Sequence, residues 1–145
     1  MVVISRIITK KNYRIWINAL NKFSKDQNSI FNHPNYLNLY EDKNKISSCY
    51  IYADNKYIFI YPFLISKILK AKNFKDIETA YGYGGPICNT TNKLFLKNAF
   101  LNLRSKLIKK NIIAELIKFN PYSNNDNVIK YYDGKIINEK DIIYV

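Results

Sequence analysis

The stretch Ile46-Ser-Ser-Cys-Tyr-Ile-Tyr-Ala-Asp-Asn-Lys-Tyr-Ile-Phe-Ile-Tyr-Pro-Phe-Leu-Ile65 decides the fold. Residues 46–53 and 57–65 are rich in Ile, Tyr and Phe, the residues that suit a pleated surface. Asp54-Asn55 between them supplies turn chemistry, so the stretch predicts a β-hairpin. Residues 57–65 are strongly apolar but far shorter than the ~20 residues of a membrane helix, and they read as a buried strand. Pro62 has no N–H to give to a ladder, which implies a bulge or an edge at that point.

Working outward, residues 2–8 form a short apolar run, a first strand. Asn12 stands where it can cap a helix whose inner face is Tyr13, Trp16, Ile17, Leu20 and Phe23, at spacings of three and four. Residues 25–29 are a polar break. A second short helix is expected to begin at His33-Pro34, because proline suits a first helical turn, and its apolar residues are Tyr36, Leu37, Leu39 and Tyr40. After the hairpin comes a lysine-rich loop. Asn89-Thr-Thr-Asn92 then offers caps for the longest helix, residues 93–110, with Leu96, Ala99, Phe100, Leu103 and Leu107 as its buried stripe. Leu94, Phe95, Leu101 and Ile108 fall outside that stripe. Residues 112–119 read as a strand, 120–127 as a polar loop, and two short strands close the chain. The alternation predicts one mixed α/β domain over residues 1–145, with neither repeat nor linker.

The segment Asp76-Ile-Glu-Thr-Ala-Tyr-Gly-Tyr-Gly-Gly-Pro-Ile87 holds three of the four glycines in the chain. Glycine permits dihedrals and close approaches that other residues do not. The segment is either a bulge or a place where backbone meets a ligand. In the second case the backbone of Gly82, Gly84 and Gly85 approaches a phosphate or a peptide. Tyr81 and Tyr83 then flank a sugar or base, or else pack into the core. The helix opening at 89–92 adds free N–H groups that attract anions.

The net charge is +12, from 23 basic and 11 acidic residues, and only Arg6, Arg14 and Arg104 are arginine. An anionic partner is expected: tRNA, a sugar nucleotide or coenzyme A. The lysines are scattered singly, which favours a solvated surface over a dedicated nucleic-acid stripe. Cys49 and Cys88 are the only cysteines. They form no CxxC pair and no Cys/His cluster, so neither a zinc site nor a disulfide framework is expected, and a reducing, cytoplasmic setting fits. The first eleven residues lack the apolar core of a signal peptide.

Four stretches carry a resemblance to a known family: Phe31-Asn-His-Pro-Asn-Tyr-Leu-Asn-Leu-Tyr40, Tyr61-Pro-Phe-Leu-Ile-Ser-Lys-Ile68, Tyr81-Gly-Tyr-Gly-Gly-Pro-Ile87, and Ala114-Glu-Leu-Ile-Lys-Phe-Asn-Pro121 followed by Asn124. In this order the chain resembles the GNAT superfamily of acyltransferases. More narrowly it resembles the N-terminal half of FemAB-like transferases, which build peptidoglycan bridges and have two GNAT-like halves. The resemblance implies a mostly antiparallel mixed sheet flanked by helices. It implies N-acyl or aminoacyl transfer to an amino group of a cell-envelope sugar or peptide precursor, with acyl-CoA or aminoacyl-tRNA as donor. It also implies a second GNAT-like half, or a second copy of this chain, as partner, and leaves residues 141–145 as a strand with an open edge. Lys118, beside Phe119-Asn120-Pro121, looks like the family's basic residue, suited to a carboxylate or phosphate. The Gln/Arg-x-x-Gly-x-Gly/Ala loop that holds acetyl-CoA in GNAT enzymes does not occur here, so no cofactor is assigned to this chain.

Catalytic candidates are few. His33 reads as a cap rather than a general base. Asp76 and Glu78 read as solvated loop acids, one of which could take a proton from an attacking amine. Glu115 reads as a strand-face partner of a lysine. No base lies near Cys88 in sequence. The substrate-binding set is therefore Tyr81, Gly82, Tyr83, Gly84, Gly85, Lys118 and Asn120, and the catalytic residues stay unassigned.

Overall fold

A computed structural model describes residues 3–71, 73–121 and 126–137. Its centre is the hairpin. Strands β2 (Lys45–Ala53) and β3 (Ile58–Lys67) pair antiparallel from Lys45↔Ser66 to Ala53↔Ile58. Asp54 makes the turn as expected, its Oδ1 accepting from the N–H of Lys56 at 2.8 Å and of Tyr57 at 2.7 Å. The aspartate thus replaces backbone partners that a two-strand corner leaves open.

Around the hairpin lie β1 (Ile4–Thr9), β4 (Lys75–Glu78), β5 (Ile87–Cys88) and β6 (Ile112–Leu116). The sheet runs β1-β2-β3-β4-β6, with β5 also on β3. Every pairing is antiparallel except β4 with β6. The fold is thus α/β with a six-stranded, mostly antiparallel sheet. Strand side chains alternate between faces, and here both faces are covered. Cys49, Ile51 and Ala53 join Ile58, Ile60 and Leu64 under helices α1 (Tyr13–Leu20) and α2 (Pro34–Asn38). Tyr50, Tyr52, Phe59, Tyr61 and Phe63 lie under α3 (Lys93–Lys109). Burial on both sides is why the two hairpin strands read as almost continuous apolar runs. Trp16 is fully buried in the first layer, where its indole N–H donates to the Asn32 carbonyl at 2.9 Å.

Several boundaries differ from the sequence reading. Asn12 precedes α1, but its side chain makes no capping bond; a 3₁₀ turn over Lys10–Asn12 leads in instead. The helix stops at Leu20, and Phe23 reaches the same core from the following turn. Asn92 does cap α3, its Oδ1 accepting from Phe95 N–H at 3.0 Å. Phe95, placed outside the stripe by periodicity, is buried against Tyr52 and Tyr57, because it sits in the first turn beside the hairpin end. The strand expected over 112–119 ends at Leu116, with one further bridge from Phe119 to Gly84. A helical turn, α4 (Asp126–Ile129), stands where loop was expected. The closing strand at 141–145 lies outside the described residues. Among the described residues no helix is long and apolar enough to cross a membrane.

Candidate functional site

The glycine segment interrupts a strand. β4 and β5 both pair with β3, one after the other. From Glu78 to Ile87 is nine steps, whereas their partners Leu64 and Ile60 are four apart, a surplus of five residues. Residues 79–86 therefore leave the sheet as an oversized bulge. Pro62 lies in the gap they vacate, so the missing N–H falls where β3 has no neighbour on that side.

The excursion ties itself to the chain beyond β6. Thr79 N–H donates to Leu116 O at 3.1 Å, Gly84 N–H to Lys118 O at 2.8 Å, and Asn120 N–H to Gly84 O at 3.3 Å. Thr79 Oγ1 accepts from Lys118 N–H at 3.1 Å. Two glycines are needed here. Gly85 has φ +105°, and a Cβ there would also press on Phe119 at 3.1 Å and Ile117 at 3.2 Å. Gly82 has φ +91° and lies flat on Phe31, whose ring a Cβ would meet at 2.8 Å. Such backbone angles are costly for any side chain and most for branched ones.

The structure brings all seven sequence-derived residues together: Tyr81, Gly82, Tyr83, Gly84, Gly85, Lys118 and Asn120. Tyr81 and Lys118 are exposed, whereas Gly85 and Asn120 are buried. Sequence reasoning did not link them to Phe31, Tyr36 and Tyr40. Phe31 meets Tyr36 and Tyr83 edge-on at 5.3 and 5.8 Å. Tyr40 stacks on Tyr81 at 6.5 Å. The Tyr36 hydroxyl donates to Tyr81 O at 2.6 Å and accepts from Tyr40 at 3.2 Å. Burial, then the Tyr40 bond, pushes the Tyr36 phenol up to about 12, so it remains a neutral donor. The outer rim is apolar and exposed, with Tyr81 79% accessible and Leu39 and Ile30 nearby in sequence to Tyr36. This is an aromatic shelf that could lie against a sugar ring or an extended peptide.

The catalytic candidates resolve differently. His33 caps α2, its Nδ1 accepting from Asn35 N–H at 3.2 Å. Asp76 and Glu78 are not loop acids: both lie in β4, and Glu78 pairs with Lys45 at 2.5 Å. Cys49 and Cys88 are buried, and burial pushes both thiols up, Cys88 to about 11, so neither is a ready thiolate. Among the described residues no group of His, Cys, Asp and Glu could hold a metal ion.

Glu115 lies in a strand as expected, β6, but with a different partner from the lysine expected of it. Among the described residues no lysine forms an ion pair with it; the Tyr132 hydroxyl donates to its Oε1. The cause is a bulge. Lys75 pairs with Ile112, but Asp76 pairs with Ala114, which leaves Ile113 extra. That one residue reverses the alternation, so Glu115 falls opposite Ile77 on the α3 face. Bulges re-aim side chains in this way and recur beside active sites. Glu115 lines a cavity of about 300 Å³ between α3, β6 and residues 131–133. Burial raises its carboxyl above the ordinary range, although the tyrosine hydroxyls pull it back in part.

No protein-family model, curated protein or solved structure matches the chain.

Proposed function

We propose that the chain is one half of a GNAT/FemAB-like N-acyltransferase, the half that holds the acceptor. The reaction is acyl or aminoacyl transfer to an amino group of a cell-envelope sugar or peptide precursor. The donor, acyl-CoA or aminoacyl-tRNA, belongs to a second GNAT-like half or a second copy. The observation that carries this reading is the single parallel pair, β4 and β6, joined through α3 within an otherwise antiparallel sheet. In open sheets ligands gather outside the carboxyl ends of parallel strands. The glycine excursion and Lys118 lie at that end here.

The same place argues against a donor site in this chain. Amide and carbonyl of Gly84 are engaged with Lys118 and Asn120, so they do not form an open cradle for a pyrophosphate. The isolated chain is therefore expected to release no coenzyme A from acetyl-CoA with amine acceptors. A thiol assay tests this: steady, acceptor-dependent release would refute the division of labour. A thermal-shift screen against coenzyme A, acyl-CoAs, sugar nucleotides and tRNA tests the acceptor role, with stabilisation by a sugar nucleotide as the expected result. The +12 charge favours a second reading, a binding domain for an anionic precursor or tRNA with no turnover in any assembly. Stabilisation by tRNA alone would select it.

A further inference from the structure

We propose that the outer face of α3 lies on an anionic lipid surface, with Leu94, Leu101 and Ile108 dipping into the apolar layer and the basic residues beside them meeting the lipid phosphates. The inference does not depend on the acyltransferase reading.

The first support is a stripe. α3 buries Phe95, Leu96, Ala99 and Leu103 against the sheet. On the side turned away, Leu94, Leu101 and Ile108 are 70%, 56% and 63% exposed. They follow one another at intervals of seven, about 20° short of two full turns, so they form one line along the helix. From Leu94 to Ile108 that line is about 21 Å long. Single exposed apolar residues are ordinary, but three in register on one helix face make a continuous apolar edge.

The second support is charge. α3 carries Lys93, Lys97, Arg104, Lys106 and Lys109, and neither Asp nor Glu. Lys97 and Arg104 stand three residues after Leu94 and Leu101, and Lys109 follows Ile108, so cations border the line on both sides. Among the described residues one ion pair reaches the helix, Arg104 with Asp133 at 2.7 Å, and both partners are well exposed. The helix keeps a positive excess, whose complement is an anionic surface. A second copy docked through the same face would set these cations against their own kind.

The third support is the kind of residue. Protein interfaces favour Tyr, Trp and Arg and are poor in Lys. Here four of the five cations are Lys, and the line itself holds no aromatic ring. A nucleic-acid backbone would gain nothing from the leucines. Lysine instead suits a lipid surface, because its long stem lies along apolar matter while the ammonium reaches outward. A narrow apolar line bordered by cations lies in the interface and does not cross it. In keeping with this, no helix among the described residues is long and apolar enough to span a membrane.

Co-flotation with vesicles of phosphatidylcholine alone, and of an equimolar mixture with phosphatidylglycerol, tests the proposal. The expected result is binding to the mixed vesicles, about tenfold or more tighter than to phosphatidylcholine. Leu94→Gln, Leu101→Gln and Ile108→Gln combined should weaken that binding by about tenfold while leaving the melting midpoint close to the parent. Lys93→Gln with Lys97→Gln should weaken it by a similar factor and flatten its salt dependence. Leu69→Ser with Lys70→Gln removes the same chemistry from the exposed loop after β3 and should change nothing. No flotation, or equal flotation with both vesicles, would overturn the proposal. So would binding that survives the triple variant, which would mean that the +12 charge adsorbs without the stripe. Self-association in light scattering that the triple variant abolishes would assign the stripe to a second copy and overturn it too. Should the triple variant not fold, Leu101→Glu decides, and undiminished binding in that variant overturns it.

Discussion

Glu41 and Glu115 sit on opposite faces of one sheet, Glu41 partly buried and Glu115 an exposed residue whose carboxyl leans over the α3 layer. Their outcomes are opposite. Burial pushes Glu41 up, but the Ser47 hydroxyl at 2.5 Å, the Ser47 N–H at 3.0 Å and Lys10 at 3.4 Å outweigh it, and its carboxyl ends below the usual value. Ser47 passes its proton to Glu41, so the Tyr13 hydroxyl at 2.5 Å donates to Ser47 in turn. That chain links α1 to β2. Burial also pushes Glu115 up, and two tyrosine hydroxyls fail to bring it back. Desolvation alone therefore does not mark a site; the number and charge of donors decide. The face under α1 and α2 is closed, with its acid answered from within by Ser47 and Lys10. The face under α3 is open at one point.

Substitutions where the chain is tightly packed, in the glycine excursion and in the closed face, are expected to cost stability, and those at the open point are not. The largest effect is expected for Gly85→Val. A branched residue at φ +105° should cost about 1–3 kcal/mol from backbone strain, read as a lowered denaturation midpoint. A neutral Gly85→Val would show that the excursion is free to rearrange. Next comes Ser47→Ala, which removes an acceptor from Tyr13 and a donor from Glu41 and should cost about 1–2 kcal/mol. Equal melting of this variant and the parent would break the picture of a closed face. Tyr132→Phe should change stability least, since it removes a bond at an open cavity; its predicted signature is a further rise of the Glu115 pKa, followed by NMR of the carboxyl carbon.

The pH dependence sharpens the comparison, with opposite signs for the two acids. The folded value of Glu41 is below the ordinary 4.5, so its contribution is present above that value and is lost as pH falls through the lowered one. The folded value of Glu115 is above 4.5, so folding is favoured when it is protonated, and stability declines as pH rises from 4.5 through the raised value. Glu115→Gln should therefore be at least as stable as the parent at neutral pH and lose that advantage below pH 4.5. Glu41→Gln should be less stable at neutral pH and converge with the parent in acid. Denaturation midpoints across pH separate the two.

The hairpin was legible because its residues state it: Asp54 makes the turn, and Pro62 announces the gap opposite the excursion. β4 was not legible. Lys75-Asp-Ile-Glu78 has one apolar residue, Ile77, and becomes a strand only because β3 and β6 offer it partners on both sides. The glycine excursion was visible from glycine density, but its aromatic neighbours come from α2 and the turn before it, and periodicity assigned Tyr36 and Tyr40 to a helix face. The strand around Glu115 was legible, but its partner was not, because the extra residue at Ile113 that turns it toward Tyr132 leaves no mark in composition. The acyltransferase resemblance rests on the order of four weak stretches, and its counterpart in the structure is the coarse architecture, an α/β fold with a mostly antiparallel sheet.

Trp16 is the sole indole in the chain and is wholly enclosed beneath α1 and α2, with Tyr13 edge-on at 5.7 Å. Its emission is consequently a reporter of one layer only. The phenols are divided: Tyr13, Tyr36 and Tyr40 pack in the Trp16 layer, whereas Tyr50, Tyr52, Tyr57, Tyr61 and Tyr131 pack under α3. The indole signal thus reports one layer, and the phenol signal weights the other more heavily. Coincident transitions in both would show that the sheet transmits cooperativity across its thickness, whereas a phenol signal that changes first would mark the α3 layer as the part that loosens alone.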